Sequence, residues 1–172
     1  MAGIVLETER LTLRPPTLDD SELSYALTAS DEMRRFLGRT LDREDSFARH
    51  LRNAGCWGLF GYGIFSVIER VSGDYVGGCG LFRALRGLGD DFDPYAEAGW
   101  VIGQPSWGRG YATEAMTAIL AWFDAAFGGR TVCMIVPGNM ASERIAAKLG
   151  YEPIGVATYK DAEVMRYARQ AV

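Results

Sequence analysis

The sequence predicts one α+β domain that extends over residues 1–172. Stretches in which polar and apolar residues alternate, typical of strands, are interspersed with stretches whose apolar residues recur every three or four positions, typical of helices. The chain contains no internal repeat, linker or low-complexity segment, and 172 residues are enough to bury a core. The expected order is one strand, two helices, three strands, a helix, a strand, a helix and two strands.

The N-terminal third is predicted to contain one strand and two helices. The segment LETERLTLRPP alternates, and we expect a half-buried strand that ends at Pro15. Thr17 is the expected N-cap of the first helix, with Asp20 three positions later completing a capping box. The two helices are predicted over residues 18–29 and 43–53.

Three strands are predicted in the middle of the chain. The segments GYGIFSVIER (61–70) and DYVGGCGLFR (74–83) are typical of an antiparallel hairpin, because a short turn that ends in glycine separates them. After a polar loop, YAEAGWVIG (95–103) is the third predicted strand.

The C-terminal third begins with a predicted helix after residue 110. Its apolar residues recur at spacings of three and four. They are Ala112, Ala115, Met116, Ile119, Leu120, Phe123 and Phe127. Gly128 and Gly129 are expected to end this helix. TVCMIV (131–136) is a predicted buried strand, MASERIAAKLG (140–150) a predicted helix, and the tail is expected to form two more strands.

Composition and charge narrow the classes of partner. The formal net charge of −4 and the isoelectric point near 5.1 argue against nucleic acid, because phosphate binding needs a basic face. A cationic small molecule or a polypeptide amine suits this balance better. No stretch approaches ~18 uninterrupted apolar residues and the N-terminus lacks the pattern of a secretory signal, so we expect no membrane partner and a cytoplasmic protein.

The cysteines and the histidine give no signal for a metal or a redox site. Cys56, Cys79 and Cys133 are odd in number and lack C-x-x-C spacing, so we expect buried thiols in a reducing compartment. His50 lies on a polar helical stretch without a partner at metal-ligand spacing, and we expect it at the surface.

The stretch SWGRGYATEAM (106–116) carries the strongest functional signal. Gly108 and Gly110 precede a helix, so they leave backbone N–H groups open at the positive end of a helix dipole, where a pyrophosphate can bind. A Walker A loop is excluded because no Gly-Lys-Ser/Thr follows. A Rossmann fingerprint fails as well, because Thr113 occupies the third glycine position. A tight turn that binds no ligand is the other interpretation of the loop.

The segment AEAGWVIGQPSWGRGYATEA, followed by NMASERIAAKLGYEPIG, resembles the GNAT superfamily of N-acetyltransferases, more narrowly the RimJ/RimL type. The family's loop pattern is Gln/Arg-x-x-Gly-x-Gly/Ala. Gly110 and Ala112 match it, whereas Trp107 stands where Gln or Arg is usual. ETERLTLRPP and DEMRRFLG also resemble this branch, so the resemblance covers nearly the whole chain.

The resemblance implies a mostly antiparallel sheet of about seven strands with helices on both faces, splayed where acetyl-coenzyme A (acetyl-CoA) binds. Under it, the backbone at Val101 and Ile102 pairs with the pantetheine arm. The amides that bind the pyrophosphate are those of Gly108, Arg109, Gly110, Tyr111, Ala112 and Thr113. The Arg109 side chain is a further candidate for a phosphate contact.

The resemblance also implies the catalytic groups. Glu97 is the candidate general base, with the partner of an arginine as the alternative. Many family members place a tyrosine acid at the position that Ala146 occupies here, so we expect Ser142 to protonate or anchor the thiol. Asn139 is expected to hold pantetheine or the Ser142 region, or to be only an N-cap. Ser142 has a purely local backbone role as its alternative.

The acceptor side is less defined by sequence. Four side chains are candidates for lining a pocket, or for ordinary packing. They are Met33, Phe36, Trp57 and Tyr62. Three carboxylates are candidates for attracting an amine, or for forming a solvated loop. They are Asp90, Asp91 and Asp93.

The expected function is therefore transfer of an acetyl group from acetyl-CoA to a primary amine, on a protein N-terminus or a small molecule. A non-catalytic sensor of acyl-CoA is the alternative, which the absence of the tyrosine at Ala146 keeps open. A succinyl donor is not excluded, and the resemblance leaves a homodimer open. No metal is expected.

Overall fold

The computed structural model describes residues 4–30, 33 and 42–171. Its strands are β1 (Leu6–Glu7), β2 (Leu11–Arg14), β3 (Ile64–Glu69), β4 (Tyr75–Phe82), β5 (Ala96–Ile102), β6 (Thr131–Ile135), β7 (Glu152–Tyr159) and β8 (Ala162–Arg169). Its helices are α1 (Asp20–Thr28), α2 (Arg43–Phe60), a 3-10 turn (Gln104–Ser106), α3 (Tyr111–Ala126) and α4 (Met140–Lys148).

The strands form one mixed sheet in the order β1-β2-β3-β4-β5-β6-β8-β7. The pair β5–β6 is parallel and every other neighbouring pair is antiparallel. The predicted α+β architecture is confirmed. The sheet has eight strands where about seven were expected, because the short β1 adds to its edge by pairing Leu6 with Leu13.

Helices cover both faces of this sheet. Val67 of β3 lies in the main hydrophobic core together with Met116 and Ile119 of α3. The next side chain, Ser66, points to the opposite face, where its hydroxyl donates to Asp20 of α1 at 2.8 Å. α1 and α3 therefore pack on opposite faces.

Helix α2 is longer than predicted. It continues to Phe60, whereas the sequence pattern predicted an end near residue 53. Two features extend it: Cys56 and Trp57 are buried in its last turns, and Gly61 ends it in the left-handed conformation with φ of 76°. Glycines inside the helix hid this continuation, because glycine normally disfavours a helix interior.

The prediction for His50 was wrong. The side chain is only 9% exposed, and its Nε2 donates to the carbonyl oxygen of Thr17 at 2.9 Å. The reason is that α2 turns this residue towards the segment that enters α1. The cysteines agree with the prediction, since all three are free and buried. Burial raises the pKa of Cys79 to about 12, so this thiol stays protonated.

The sheet opens between β5 and β6. Their register covers only Ala96 with Thr131 and Glu97 with Val132, although β5 continues to Ile102. Beyond Glu97 the two strands are unpaired. We call this the β5–β6 gap, and it lies where the resemblance predicted splayed strands.

Asp20 joins α1 to the sheet through an ion pair in which the carboxylate is buried and the Arg14 guanidinium is partly exposed. Its carboxylate, 1% exposed, accepts two hydrogen bonds from Arg14 at 2.6 and 2.8 Å and one from Ser66. The N–H of Thr17 donates to it at 2.8 Å, which is one half of the predicted capping box. The prediction of Thr17 as the N-cap was wrong: its hydroxyl donates to the same carboxylate at 3.2 Å, and the helix begins at Asp20 with Asp19 as its N-cap.

Among the helices that the structure describes, none combines the length and the apolar character that crossing a bilayer requires.

The Asp20 carboxylate makes the free energy of unfolding depend on pH. Burial alone would raise its pKa, but the hydrogen bonds from Arg14, Thr17 and Ser66 outweigh burial and lower the pKa to about 2. Because this is below the unfolded value of about 3.9, the contribution is present above pH ~4 and is lost as the pH falls towards 2. Asp20→Asn is expected to lower the free energy of unfolding by about 3 kcal/mol at pH 7.

Urea titrations of the wild type and of Asp20→Asn at several pH values between 2 and 7 measure the free energy of unfolding of each protein. The difference between wild type and Asp20→Asn should shrink as the pH falls below 4. The control is Asp19→Asn, because that carboxylate makes no side-chain capping bond and its change should stay within about 0.5 kcal/mol. An equal loss in both variants, or a difference that does not vary with pH, contradicts the assignment.

Candidate active site

The loop before α3 requires its glycines. Gly108 and Gly110 have φ of 74° and 79°, in the left-handed region that other residues rarely adopt. A Cβ at Gly108 would meet nothing within 4 Å, so this side of the loop is open. The backbone needs glycine for its conformation, and the surface above it is free for a ligand.

The same loop presents a row of backbone donors. The first N–H that enters the α3 hydrogen-bond ladder is that of Glu114, which donates to the Gly110 carbonyl at 3.0 Å. Within the described parts of the chain, the N–H groups of residues 108–113 find no acceptor, and Gly110 offers no side-chain cap. Consecutive free donors at the positive end of a helix dipole form a binding site for a phosphate group.

A network behind the loop holds it in place. The Tyr111 ring lies between two guanidinium groups, with Arg10 at 4.8 Å and Arg109 at 4.6 Å from the ring centre. Glu69 of β3 accepts from the Tyr111 hydroxyl and pairs with Arg109 at 2.6 Å. Arg10 donates to Glu114 at 2.7 Å. The Arg109 side chain is thus engaged with Glu69, while its backbone N–H belongs to the row of free donors.

The end of β5 exposes alternate backbone groups to the gap. The N–H of Gly103 donates to the Val76 carbonyl at 2.9 Å, and the register pairs Val101 with Gly78. Because antiparallel hydrogen bonding alternates along a strand, Val101 uses its backbone within the sheet. Ile102 presents its backbone groups to the gap. Of the two residues expected to meet pantetheine, Ile102 is the one so placed.

Two tryptophans border the gap. The indole N–H of Trp107 donates to the Ile102 carbonyl at 2.6 Å, which satisfies a group that β6 leaves unpaired. The indole N–H of Trp100 reaches across to α4 and donates to Oγ of Ser142 at 3.3 Å. The sequence reasoning assigned no role to Trp100. The sequence pattern places Trp100 and Glu97 on opposite faces of β5. It does not show that the Trp100 side chain contacts a helix about 40 residues later.

Ser142 is fixed by its own helix end. Asn139 is the N-cap of α4, and its side-chain oxygen accepts from the Ser142 N–H at 3.1 Å. Because the Ser142 oxygen accepts from Trp100, the hydroxyl proton remains available for donation. Ala146, one turn further on, is completely buried in the core.

Glu97 lies on the other face of the sheet. Its neighbours Ala96 and Ala98 belong to the main core, so strand alternation directs Glu97 to the face that carries α1. The carboxylate is 4% exposed, and its two oxygens accept from Arg86 at 2.5 and 2.8 Å. Burial raises the pKa of Glu97, and the hydrogen bonds and charge of Arg86 oppose this rise. The ion-pair alternative is what the structure shows, and sequence reasoning had not singled out Arg86.

Most aromatic candidates for the acceptor pocket are core residues. Trp57 packs edge-on against Phe65 at 4.7 Å between ring centres, and Tyr62 packs edge-on against Phe123 at 5.1 Å. Met33 is buried as well. Phe36 lies outside the described residues. The packing alternative holds for Trp57 and Tyr62.

The acidic loop is held by its own carboxylates. Asp93 accepts the backbone N–H groups of residues 86–88 at 2.9–3.3 Å. Asp91 pairs with Arg166 at 2.7 Å, and Asp90 is exposed. Two of the three candidates thus stabilise the loop. In the parts of the chain that the structure describes, no group of three His, Cys, Asp or Glu side chains could hold a metal ion.

Comparison with known proteins gives the family. The acetyltransferase (GNAT) domain family matches residues 10–152. The uncharacterized N-acetyltransferase YoaA of Bacillus subtilis is 29% identical over 156 residues, which cover 88% of this chain and 85% of YoaA. A solved structure from Bordetella pertussis, described as a GnaT-family acetyltransferase, superposes with a TM-score of 0.87 at 31% identity and covers 96% of this chain and 99% of its own.

A ribosomal-protein acetyltransferase has the same overall fold. RimL, a ribosomal L7/L12 α-N-protein acetyltransferase, superposes with a TM-score of 0.78 over 98% of this chain and 94% of its own. Its identity of 13% means that this likeness concerns the fold alone. The family match extends over most of the chain, and the row of free N–H groups lies where the family's loop pattern was recognised. The chain therefore belongs to the GNAT acetyltransferases and is an acetyl-CoA-dependent enzyme.

Proposed function

We propose that this enzyme transfers an acetyl group from acetyl-CoA directly to a primary amine, with both substrates bound at once. One observation carries the proposal. The six consecutive N–H groups of residues 108–113 have no acceptor among the described residues, the Cβ position of Gly108 is open, and the loop follows the strand that borders the β5–β6 gap. A diphosphate bound there lies next to the β5–β6 gap, and a flexible arm attached to it can enter that gap. The name of YoaA, an N-acetyltransferase, agrees with an amine as acceptor.

The chain offers distinct groups to each part of the co-substrate, which supplies the acetyl group as a thioester. The N–H groups of residues 108–113 bind the diphosphate. The N–H of Ile102 lies along the gap for the pantetheine arm, whereas its carbonyl is held by the Trp107 indole. The N–H of Trp100 faces the same gap by alternation, and there it stabilises negative charge on the thioester oxygen during attack.

The leaving thiolate needs a proton, and Ser142 is placed to give one. Its oxygen accepts from the Trp100 indole at 3.3 Å, and this hydrogen bond stabilises the oxygen as its own proton departs. Asn139 fixes the backbone of the same turn at 3.1 Å. A serine at this place takes over the function of the tyrosine that many relatives carry at the position of Ala146.

The acceptor amine must lose its proton before it attacks. Near pH 7 this costs about 4–5 kcal/mol for a lysine-like amine, but only about 1 kcal/mol for an α-amine. Glu97 is the base that we propose, and it can act only when Arg86 releases its two oxygens. The acceptor is a polypeptide N-terminus or a small-molecule amine. RimL, which shares the fold, acts on a protein N-terminus, and this favours a polypeptide N-terminus as the first class to test.

An acceptor screen tests the proposal. Release of free thiol from acetyl-CoA is measured with peptides that begin with Ala or Ser, with polyamines and with aminoglycosides, and the products are identified by mass spectrometry. We expect acetylation at nitrogen for at least one class. Tight binding of acetyl-CoA without turnover on any amine contradicts transfer and indicates a sensor.

The loop can be tested by a substitution that adds one methyl group. Gly108→Ala is expected to cost about 1–2 kcal/mol of backbone strain, because alanine disfavours φ of 74°. The loop relieves this strain by turning its N–H groups away, so the Kd for acetyl-CoA should rise at least about tenfold. Isothermal titration calorimetry measures this.

The matched control for Gly108→Ala is Gly129→Ala. Gly129 also has a positive φ, 86°, and an open Cβ position, but it follows the other end of α3. Both variants should lose similar stability, while only Gly108→Ala should lose affinity for acetyl-CoA. Equal affinities in the two variants exclude the loop as the diphosphate site.

Ser142 and Trp100 should act as one unit. Ser142→Ala is expected to lower kcat by about 10²–10³-fold with little change in the Kd for acetyl-CoA, the usual contribution of a proton donor. Trp100→Phe should lower kcat less, because it leaves the hydroxyl in place. In the Ser142→Ala background, Trp100→Phe should have almost no further effect on kcat.

Steady-state kinetics of the two single variants and the double variant measure this coupling. Trp122→Phe, in the aromatic core on α3, controls for the loss of an indole as such. If the effects of Ser142→Ala and Trp100→Phe on kcat simply multiply, the hydrogen bond between them does not serve proton donation.

A further inference from the structure

We infer that Glu97, Phe82 and Tyr159 form a binding site for the ammonium group of the acceptor, and that the guanidinium of Arg86 occupies this site until an acceptor displaces it. We call the three residues the cation cage. The inference rests on the proposed amine transfer and adds to it the charge state in which the acceptor arrives.

The geometry of the cage is that of cation recognition. The carboxylate of Glu97 accepts from Nε of Arg86 at 2.5 Å and from a terminal nitrogen at 2.8 Å. The same guanidinium lies 4.8 Å from the Tyr159 ring centre and 5.8 Å from that of Phe82. Charge-assisted hydrogen bonds on one side and aromatic faces on the others are the contacts that alkylammonium and guanidinium ligands need.

The walls of the cage and its occupant come from different parts of the fold. Glu97 and Phe82 are a register pair of neighbouring strands, and Tyr159 ends β7. Gly99 leaves room for the Phe82 ring, because a Cβ there would lie 3.1 Å from a ring carbon. Arg86 enters from the loop between β4 and β5. The walls therefore belong to the sheet, and the occupant can leave with its loop.

Apart from Arg86, the carboxylates of Glu97 and Asp93 outweigh one cation, Arg52 of α2, so the surrounding charge has room for one further cation. The thiol of Cys133 on β6 is also close enough to interact with the charge of Glu97. Asp93 is turned towards the loop's own N–H groups. A buried carboxylate that lost Arg86 without replacement would be strongly destabilised, so exchange for another cation is the favourable path.

The exchange also prepares the acceptor for reaction. An ammonium that replaces Arg86 donates an N–H bond to Glu97. The proton then passes from nitrogen to the carboxylate oxygen, and the electron pair of that N–H bond remains on nitrogen as the attacking lone pair. Burial, which raises the pKa of Glu97, makes this transfer easier once the guanidinium has gone.

The cage can be emptied and refilled in solution. Arg86→Ala should lower the melting temperature, and methylguanidinium should raise it again in a saturable way at concentrations that leave wild type unchanged. Adding Glu97→Gln to Arg86→Ala should abolish this rescue. If Arg86→Ala does not fold, Arg86→Gln serves instead, because glutamine still donates one hydrogen bond to the carboxylate.

Arg166→Ala is the matched control. Arg166 binds the same loop through Asp91 at 2.7 Å and the Leu88 carbonyl at 3.0 Å, but it does not contact Glu97. If loosening of the loop alone lowers the melting temperature, Arg166→Ala should show that decrease, and methylguanidinium should not reverse it. Equal rescue of Arg166→Ala and Arg86→Ala, or no saturable rescue of Arg86→Ala, overturns the cage.

Kinetics provide the second measurement. If Arg86 fills the cage in about nine molecules of ten, its removal should lower the KM of a cationic acceptor about tenfold, while the KM of acetyl-CoA stays constant. An unchanged or increased acceptor KM overturns the displacement. Rescue by methylguanidinium needs no turnover, so the two proposals can fail separately. If the cage binds this probe but the enzyme acetylates no amine, the result contradicts the proposed function and not the cage.

Discussion

The separation of β5 from β6 after Glu97 is the constraint on which the site depends. Alternation along β5 directs Trp100 to the face of the sheet that carries α3, and Glu97 to the face that carries α1. Groups on opposite faces of a continuous sheet cannot act on one bond. The gap removes the barrier between them, so in the proposed reaction a thioester beside Ser142 can meet an amine beside Glu97.

An open gap leaves backbone groups without partners, and the structure compensates for this with side chains. The Trp107 indole takes the place of a neighbouring strand for the Ile102 carbonyl, at 2.6 Å. The Trp100 indole ties β5 to α4 on the other side of the opening. Behind the loop, Tyr111 and its two flanking arginines fix the start of α3. The opening is therefore built into the fold and does not depend on a ligand.

The sequence predicted what local patterns encode. Alternation and helical spacing identified the strands and the inner face of α3, and the glycines before α3 identified the loop with positive φ. The sequence patterns did not predict side-chain contacts between residues that lie far apart in the chain. Arg86 finds Glu97 across 11 positions, and Trp100 finds Ser142 across 42. His50 is buried by a segment more than 30 positions away. Such pairings follow from how the helices and strands pack against one another. A short stretch of sequence does not carry this information.

The two sides of the gap differ in what binding requires. On the α3 side the donors are backbone N–H groups, which are fixed by φ and have no partner among the described residues, so the proposed binding of a diphosphate needs no rearrangement. On the α1 side the carboxylate is already paired, and a ligand must compete with a guanidinium for it. In the proposed mode of binding, affinity for the co-substrate is thus set by the backbone of the loop before α3. In the same proposal, selection of the acceptor depends on side chains and on one loop, and a change of Arg86 alone is expected to alter it without disturbing the sheet.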